Sequence, residues 1–114
     1  VKDGLPVLVT GSPGGSTIIT TVLQVVINFL DHKMPLNEAV GFPRFHHQWK
    51  PDTILYERGT FSPDTRENLE ELGYTGFRAW SFGGGIGDAN SISFDGSLIH
   101  GVKDPRASGG AAGL

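Results

Sequence analysis

The residues best suited to chemistry are Gly11-Ser12-Pro13-Gly14-Gly15-Ser16, a glycine-rich turn between the apolar run Pro6-Val7-Leu8-Val9 and a long helical pattern that opens at Ser16. A strand that breaks into glycines and then feeds a helix leaves unpaired backbone N–H groups directed at one spot, reinforced by the positive end of the helix dipole. Such a spot takes negative charge. Three carriers fit: a phosphate, a carboxylate, or the oxyanion of an acyl-transfer intermediate. Glycine serves all three, because a side chain would block close approach of the backbone. The lysine that follows the last glycine of a triphosphate-binding loop is missing, which argues against a nucleoside triphosphate. The glycine spacing also differs from that of a dinucleotide turn. A second cluster, Gly83-Gly84-Gly85 with Gly87, fails the same tests, precedes no helical pattern and reads as a flexible connector.

The other reactive side chains carry weaker signals. His46 and His47 are neighbours on an extended segment, so they point to opposite faces and do not easily share one ion; a structural role is expected for both. His32 follows Asp31 at a helix end, where a cation suits the dipole, and His100 has no partner nearby in sequence. Asp88, Asp95 and Asp104 are not brought together by spacing, and Asp95 is explained by the Asp95-Gly96 turn. Ser12 and Ser16 flank the glycines, yet no histidine is placed beside them, and Ser16 is expected to cap the helix. Trp49 and Trp80 read as core or interface residues, since no basic residues interleave with them. Arg106, in Asp104-Pro105-Arg106, is expected to tie the tail to the body through a bidentate pair.

The elements that must position these residues follow from periodicity and punctuation. A strand is expected near Leu5–Thr10, then a helix from Ser16 to about Lys33, stopped by Pro35. Its apolar positions form two adjoining rows: Ile18, Val22, Val25 and Phe29, then Ile19, Leu23, Val26 and Leu30. A short helix near Pro35–Val40 precedes extended segments at Phe45–Trp49 and Thr53–Glu57. Ser62-Pro63-Asp64 reads as the cap, first-turn proline and dipole-matched acid of a helix ending at Gly73, with Leu69 and Leu72 on its inward face. Arg78–Phe82, Asn90–Phe94 and Ser97–Val102 are candidate strands of an antiparallel sheet, the last two joined by a two-residue Asp95-Gly96 turn. The expected fold is an α/β mixture of the α+β type, a single domain over residues 1–114 with helices packed on a sheet.

Composition narrows the functions. A net charge of −3 and the lack of any basic run argue against a nucleic-acid partner. Without cysteine, disulfides and thiolate metal sites are excluded, and no metal or cofactor is expected. The longest apolar stretch, Ile18–Leu30, is interrupted by Thr20, Thr21, Gln24 and Asn28 and is too short to span a bilayer.

The order Gly-Ser-Pro-Gly-Gly-Ser, then Ile18-Ile19-Thr20-Thr21-Val22-Leu23-Gln24, Ala39-Val40, Pro43-Arg44-Phe45-His46-His47-Gln48-Trp49 with Pro51-Asp52, and finally Asp104-Pro105-Arg106 before a Gly/Ala tail, resembles gamma-glutamyltransferase (gamma-glutamyltranspeptidase). The match covers nearly the whole chain and corresponds to the C-terminal part of that family's small subunit. The resemblance implies a share of the four-layer αββα sandwich of N-terminal-nucleophile hydrolases. It also implies an enzyme that takes the gamma-glutamyl group of glutathione and related amides onto its own threonine and passes it to water or an amino acid. The backbone N–H groups of Gly14 and Gly15 match the family's oxyanion hole, and through it they contact the substrate. Thr17 departs from the pattern, because many members have an arginine there. No role is assigned to the recurring Pro43–Asp52 segment.

The resemblance further implies that the nucleophile, a serine pair and the acidic residues that grip the substrate precede Val1. The expected partners are then the remainder of the small subunit, the large subunit of the same self-cleaving precursor and a small gamma-glutamyl substrate. The implied location is periplasmic or extracellular. The alternatives are a stand-alone module that captures a small anion at the helix start, and part of a related amide acylase. One helical row left bare by missing partners should make the isolated chain self-associate. The 114 residues offer donors for a transition state but no attacking group, so the purified chain should not hydrolyse a chromogenic gamma-glutamyl anilide above buffer; turnover that survives further purification would refute this.

Overall fold

The apolar run ahead of the glycine turn becomes β1 (Leu8–Gly11) in the computed structural model, which describes residues 1–113. The turn delivers the chain into α1 (Thr17–Leu30). Ser16 does not cap it: its dihedrals are already helical and its hydroxyl makes no capping bond. Instead, the carbonyl of Gly14 accepts both the amide and the hydroxyl of Thr17, at 3.2 and 2.9 Å, so the turn itself closes the helix start. α1 also stops three residues before the expected Lys33. There the chain leaves the helix, Lys33 adopts a φ of +56°, and its ammonium donates to the Leu30 carbonyl. Lys33 rather than His32 is therefore the cation that meets the negative end of the dipole.

α2 (Leu36–Gly41) follows Pro35, and α3 (Pro63–Glu71) starts as its sequence dictates, with the Ser62 hydroxyl accepting the Thr65 amide at 3.1 Å. No residue of α3 is buried. Leu69 is half-buried, but Leu72 is exposed, so the expected inward face is only partly real.

The remaining strands are β2 (Phe45–His46), β3 (Ile54–Tyr56), β4 (Phe77–Ala79), β5 (Asn90–Phe94) and β6 (Ile99–Val102). They make two sheets rather than one. In the first, ordered β1-β5-β6, all neighbours are antiparallel, with Thr10 opposite Ser91 and Ser91 opposite Val102. The β5–β6 connection is longer than the two-residue turn expected, because the Asp95 carboxylate accepts the amides of both Ser97 and Leu98 at 2.8 Å and holds a wider loop. In the second sheet, ordered β2-β3-β4, β4 runs parallel to β3. The segment expected as antiparallel is parallel because α3 lies between the two strands and carries the chain back to the same end.

The core lies between the first sheet and the helices. Val25 of α1, Leu36 and Val40 of α2, and Ala89 are buried together, with Leu8, Phe29 and Val102 against them. The second sheet carries an aromatic cluster of Phe45, Tyr56, Phe61 and Phe77, whose ring centroids lie 5.5 to 6.5 Å apart. Neither apolar row of α1 is fully covered: Val25 is buried, but Ile18 at the head of its row is 39% exposed. Ile19 is 75% exposed and Leu23 51%, while Val9, Ile92 and Ile99 stand exposed on the first sheet. Bare apolar surface of this extent drives association in water, so sedimentation of the isolated chain over a concentration series should show self-association. A clean monomer throughout, with no binding of a hydrophobic dye, would contradict this.

Candidate functional site

The glycine turn is exposed and its backbone is unusual. Gly14 has φ +135° and Gly15 φ +58°, and among the described residues no protein acceptor meets the amides of Gly14, Gly15 or Ser16. Three successive donors are thus open to solvent at the start of a 14-residue helix. Gly14 is required sterically as well as by its φ, because a Cβ there would lie 2.4 Å from Thr17 Oγ1. Around Gly15 nothing lies within 4 Å of a Cβ.

The turn is held from one side by the Gly83–Ala89 segment. The Ser12 hydroxyl donates to the Pro13 carbonyl at 2.7 Å and accepts the Asp88 amide at 2.8 Å. This approach requires a glycine at position 87, whose Cβ would lie 2.5 Å from Thr21 Oγ1 and 2.7 Å from Ser12 Oγ. Gly84 and Gly85 are equally confined, with a Cβ at 2.1 Å from the Arg106 carbonyl oxygen or 2.4 Å from Glu57 Oε1. Gly83 has open space around it, but Gly84, Gly85 and Gly87 form a close-packed support, and their reading as a flexible connector is incorrect.

That support rests on four charged side chains. Arg106 grips Glu57 with Nε to Oε1 at 2.7 Å and Nη2 to Oε2 at 2.5 Å, which is the bidentate pair expected of it. Its Nη1 donates to Asp104 Oδ1 at 3.1 Å, and Asp104 Oδ2 accepts Arg44 Nη2 at 2.7 Å. Arg44 and Asp104 are fully buried. The carboxylates also collect amides: Glu57 takes Ile86 and Arg44 at 2.6 and 2.8 Å, and Asp104 takes Ala89 and Arg106 at 2.6 and 3.0 Å. Burial opposes the charge of Glu57, but the Arg106 guanidinium and the Ile86 and Arg44 amides outweigh it and hold the carboxyl below its ordinary value. For Asp104, burial is likewise outweighed by the Ala89 and Arg106 amides and by Arg44.

The other candidates are scattered. His46 is buried, with Nδ1 2.8 Å from Thr20 Oγ1 and Nε2 2.9 Å from Gln48 Oε1, whereas His47 faces elsewhere and meets Asp52 at 2.9 Å. His100, which had no expected partner, lies 3.1 Å from Asp95 Oδ2. That contact helps the Leu98 and Ser97 amides hold the Asp95 carboxyl at about 2. Trp80 is half-buried, but Trp49 is 70% exposed and belongs to no core among the described residues. Sequence reasoning missed Arg44 and Glu57. Arg44 was visible only as a member of the recurring Pro43–Asp52 segment, and nothing beside Glu57 in sequence marked it.

Comparison with known proteins gives a consistent relationship. Residues 1–114 match the family model of gamma-glutamyltranspeptidase. The glutathione hydrolase proenzyme of Escherichia coli K12 is 50% identical over 109 residues, covering 94% of this chain and 18% of that protein. Among solved structures, gamma-glutamyltranspeptidase from Pseudomonas nitroreducens complexed with L-DON superposes with a TM-score of 0.87 at 34% identity, covering all of this chain and 58% of that one. Helicobacter pylori gamma-glutamyltranspeptidase gives 0.84 at 42% identity, with 94% of this chain and 57% of that one covered. The chain thus spans less than a fifth of its E. coli relative.

Because Glu57 and Asp104 ionise more readily in the folded state, their contribution to stability is complete above the ordinary carboxylate range and is lost as pH falls through their depressed values. Glu57→Gln removes one of the two carboxylates that Arg106 meets and leaves Asp104 alone opposite it, which should cost roughly 2 kcal/mol at neutral pH. Thermal unfolding of both chains between pH 7 and about pH 3 should show the wild-type advantage shrinking on acidification. A constant gap would refute the assignment.

Proposed function

The chain belongs to the gamma-glutamyltranspeptidase family, and on that premise we propose that its glycine turn is the oxyanion hole of an enzyme that transfers or hydrolyses gamma-glutamyl groups. When a nucleophile attacks the gamma-carbonyl of a glutamyl amide, the carbonyl oxygen takes up a full negative charge in the tetrahedral intermediate. Donors that already point at that position stabilise the charge without reorganising, and they act far more on the transition state than on the neutral carbonyl. The observation that carries the proposal is the pair of unpartnered amides at Gly14 and Gly15, both at positive φ and both at the start of α1.

In this reading the substrates are glutathione and related gamma-glutamyl amides. The nucleophile is a threonine contributed by the remainder of the small subunit after the precursor cleaves itself. Attack expels the amine and leaves a gamma-glutamyl ester on the threonine; water or the amino group of an acceptor then attacks that ester through a second tetrahedral oxyanion at the same two amides. Gly14 and Gly15 serve both halves of the cycle. The large subunit of the same precursor completes the substrate pocket, and the enzyme works in the periplasm or outside the cell.

The two glycines should differ in their tolerance of a side chain. Gly14→Ala drives a Cβ into Thr17 Oγ1 and displaces the turn, so turnover of the whole enzyme should fall by about 100-fold or more, the range seen for loss of one oxyanion donor. Gly15→Ala meets open space and a left-handed φ that alanine reaches at a cost of about 1 to 2 kcal/mol, so its loss should be smaller. Steady-state kinetics with a gamma-glutamyl anilide would decide. Near-normal turnover and self-cleavage in both variants would overturn the proposal.

A further inference from the structure

Each peptide unit is planar and trans, so its C=O and N–H point in opposite directions, and fixing the oxygen fixes the hydrogen. In the glycine turn, the Gly14 N–H shares its peptide unit with the Pro13 carbonyl, and the Gly15 N–H shares its unit with the Gly14 carbonyl. Both carbonyls are held by side-chain hydroxyls. Ser12 Oγ donates to the Pro13 oxygen at 2.7 Å, and Thr17 Oγ1 donates to the Gly14 oxygen at 2.9 Å. We propose that Ser12 and Thr17 are positioning residues that aim the two amide donors by holding the opposite end of each donor's own peptide plane. The inference rests on the oxyanion reading of Gly14 and Gly15.

Each hydroxyl commits its one hydrogen to that carbonyl. Ser12 accepts the Asp88 amide at 2.8 Å, which uses a lone pair and directs the hydroxyl hydrogen to Pro13. The lack of a side chain at Gly87 is what lets that segment come close enough. Thr17 is buried, and its β-branched side chain has few rotamers available on a helix. Its Oγ1 also lies 2.4 Å from where a Cβ on Gly14 would fall, so the bond forms only beside a glycine. A glycine pair at φ +135° and +58° has wide conformational freedom, and without restraint its peptide planes would swing. Donation into each carbonyl further polarises the peptide and strengthens its N–H as a donor.

The contribution is one of aim, so the effect should appear in kcat and not in substrate binding. In the whole, self-cleaved enzyme, Ser12→Ala and the near-isosteric Thr17→Val should each lower kcat about tenfold, short of the 100- to 1,000-fold that follows loss of a donor. KM should stay within about twofold, and Thr17→Ser, which keeps the hydroxyl, should restore kcat to within about twofold. If Ser12→Ala and Thr17→Val both keep kcat within about twofold while Gly14→Ala is crippled, this inference falls and the oxyanion reading stands. If Gly14→Ala and Gly15→Ala are both near normal, the oxyanion reading itself falls. A loss in Thr17→Val that comes with a lower melting temperature and is not restored by Thr17→Ser would overturn the aiming role in favour of packing. If Thr17→Val does not mature, Ser12→Ala decides by the same thresholds.

Discussion

Burying Arg44 beside Asp104 is the constraint on which the rest of this structure depends. A guanidinium and a carboxylate taken out of water cost more than their attraction returns unless every remaining donor and acceptor is used. Here each one recruits a different part of the chain. Arg44 donates to the carbonyls of Val40 and Ile86, and Arg106 to those of Val40 and Phe42, so the last carbonyls of α2 are satisfied by arginines. Asp104 and Glu57 collect the amides of Ala89 and Ile86. The end of α2, the residue after β3, the Gly83–Ala89 segment and the C-terminal tail are therefore one unit. Loss of Asp104 leaves the buried Arg44 without an ion pair, and loss of Arg106 leaves Glu57 without one.

The exposed glycine turn takes its order from that unit at second hand. A turn whose amides stay bare draws no order from bonds to them, so its rigidity has to come from the carbonyl side and from its neighbours. Ser12 supplies the connection, accepting the Asp88 amide just beyond the residues that Glu57 and Asp104 restrain. On the other flank, the buried start of α1 holds the Gly14 carbonyl through Thr17. Open donors on a fixed frame are what an oxyanion site requires.

The bare faces fit the family to which the chain belongs. Its structural neighbours are gamma-glutamyltranspeptidases, N-terminal-nucleophile hydrolases in which helices and sheets stack in layers. The α+β arrangement here is a portion of such a stack. Ile19 and Leu23 on α1, and Val9, Ile92 and Ile99 on the first sheet, are apolar without a covering layer among the described residues.

Local physics made much of this legible in the sequence. The strand, glycine turn and helix at residues 8–30, the Ser62-Pro63 helix start and the bidentate role of Arg106 each depend on neighbours a few residues apart or on the geometry of one side chain, and each was readable from residue types. The family itself was readable from the order of short motifs. What the sequence could not show were contacts between distant residues. Glu57 meets Arg106 across 49 positions and Ser12 meets the Asp88 amide across 76, and nothing in either residue's surroundings names its partner. For the same reason Gly84, Gly85 and Gly87 read as loose although each is tightly confined, since what excludes a Cβ there is a side chain or carbonyl from elsewhere. The parallel pairing of β4 belongs to the same class. Sequence determined which backbone conformations were cheap, and only tertiary packing decided which of the exposed donors, charges and glycines would meet.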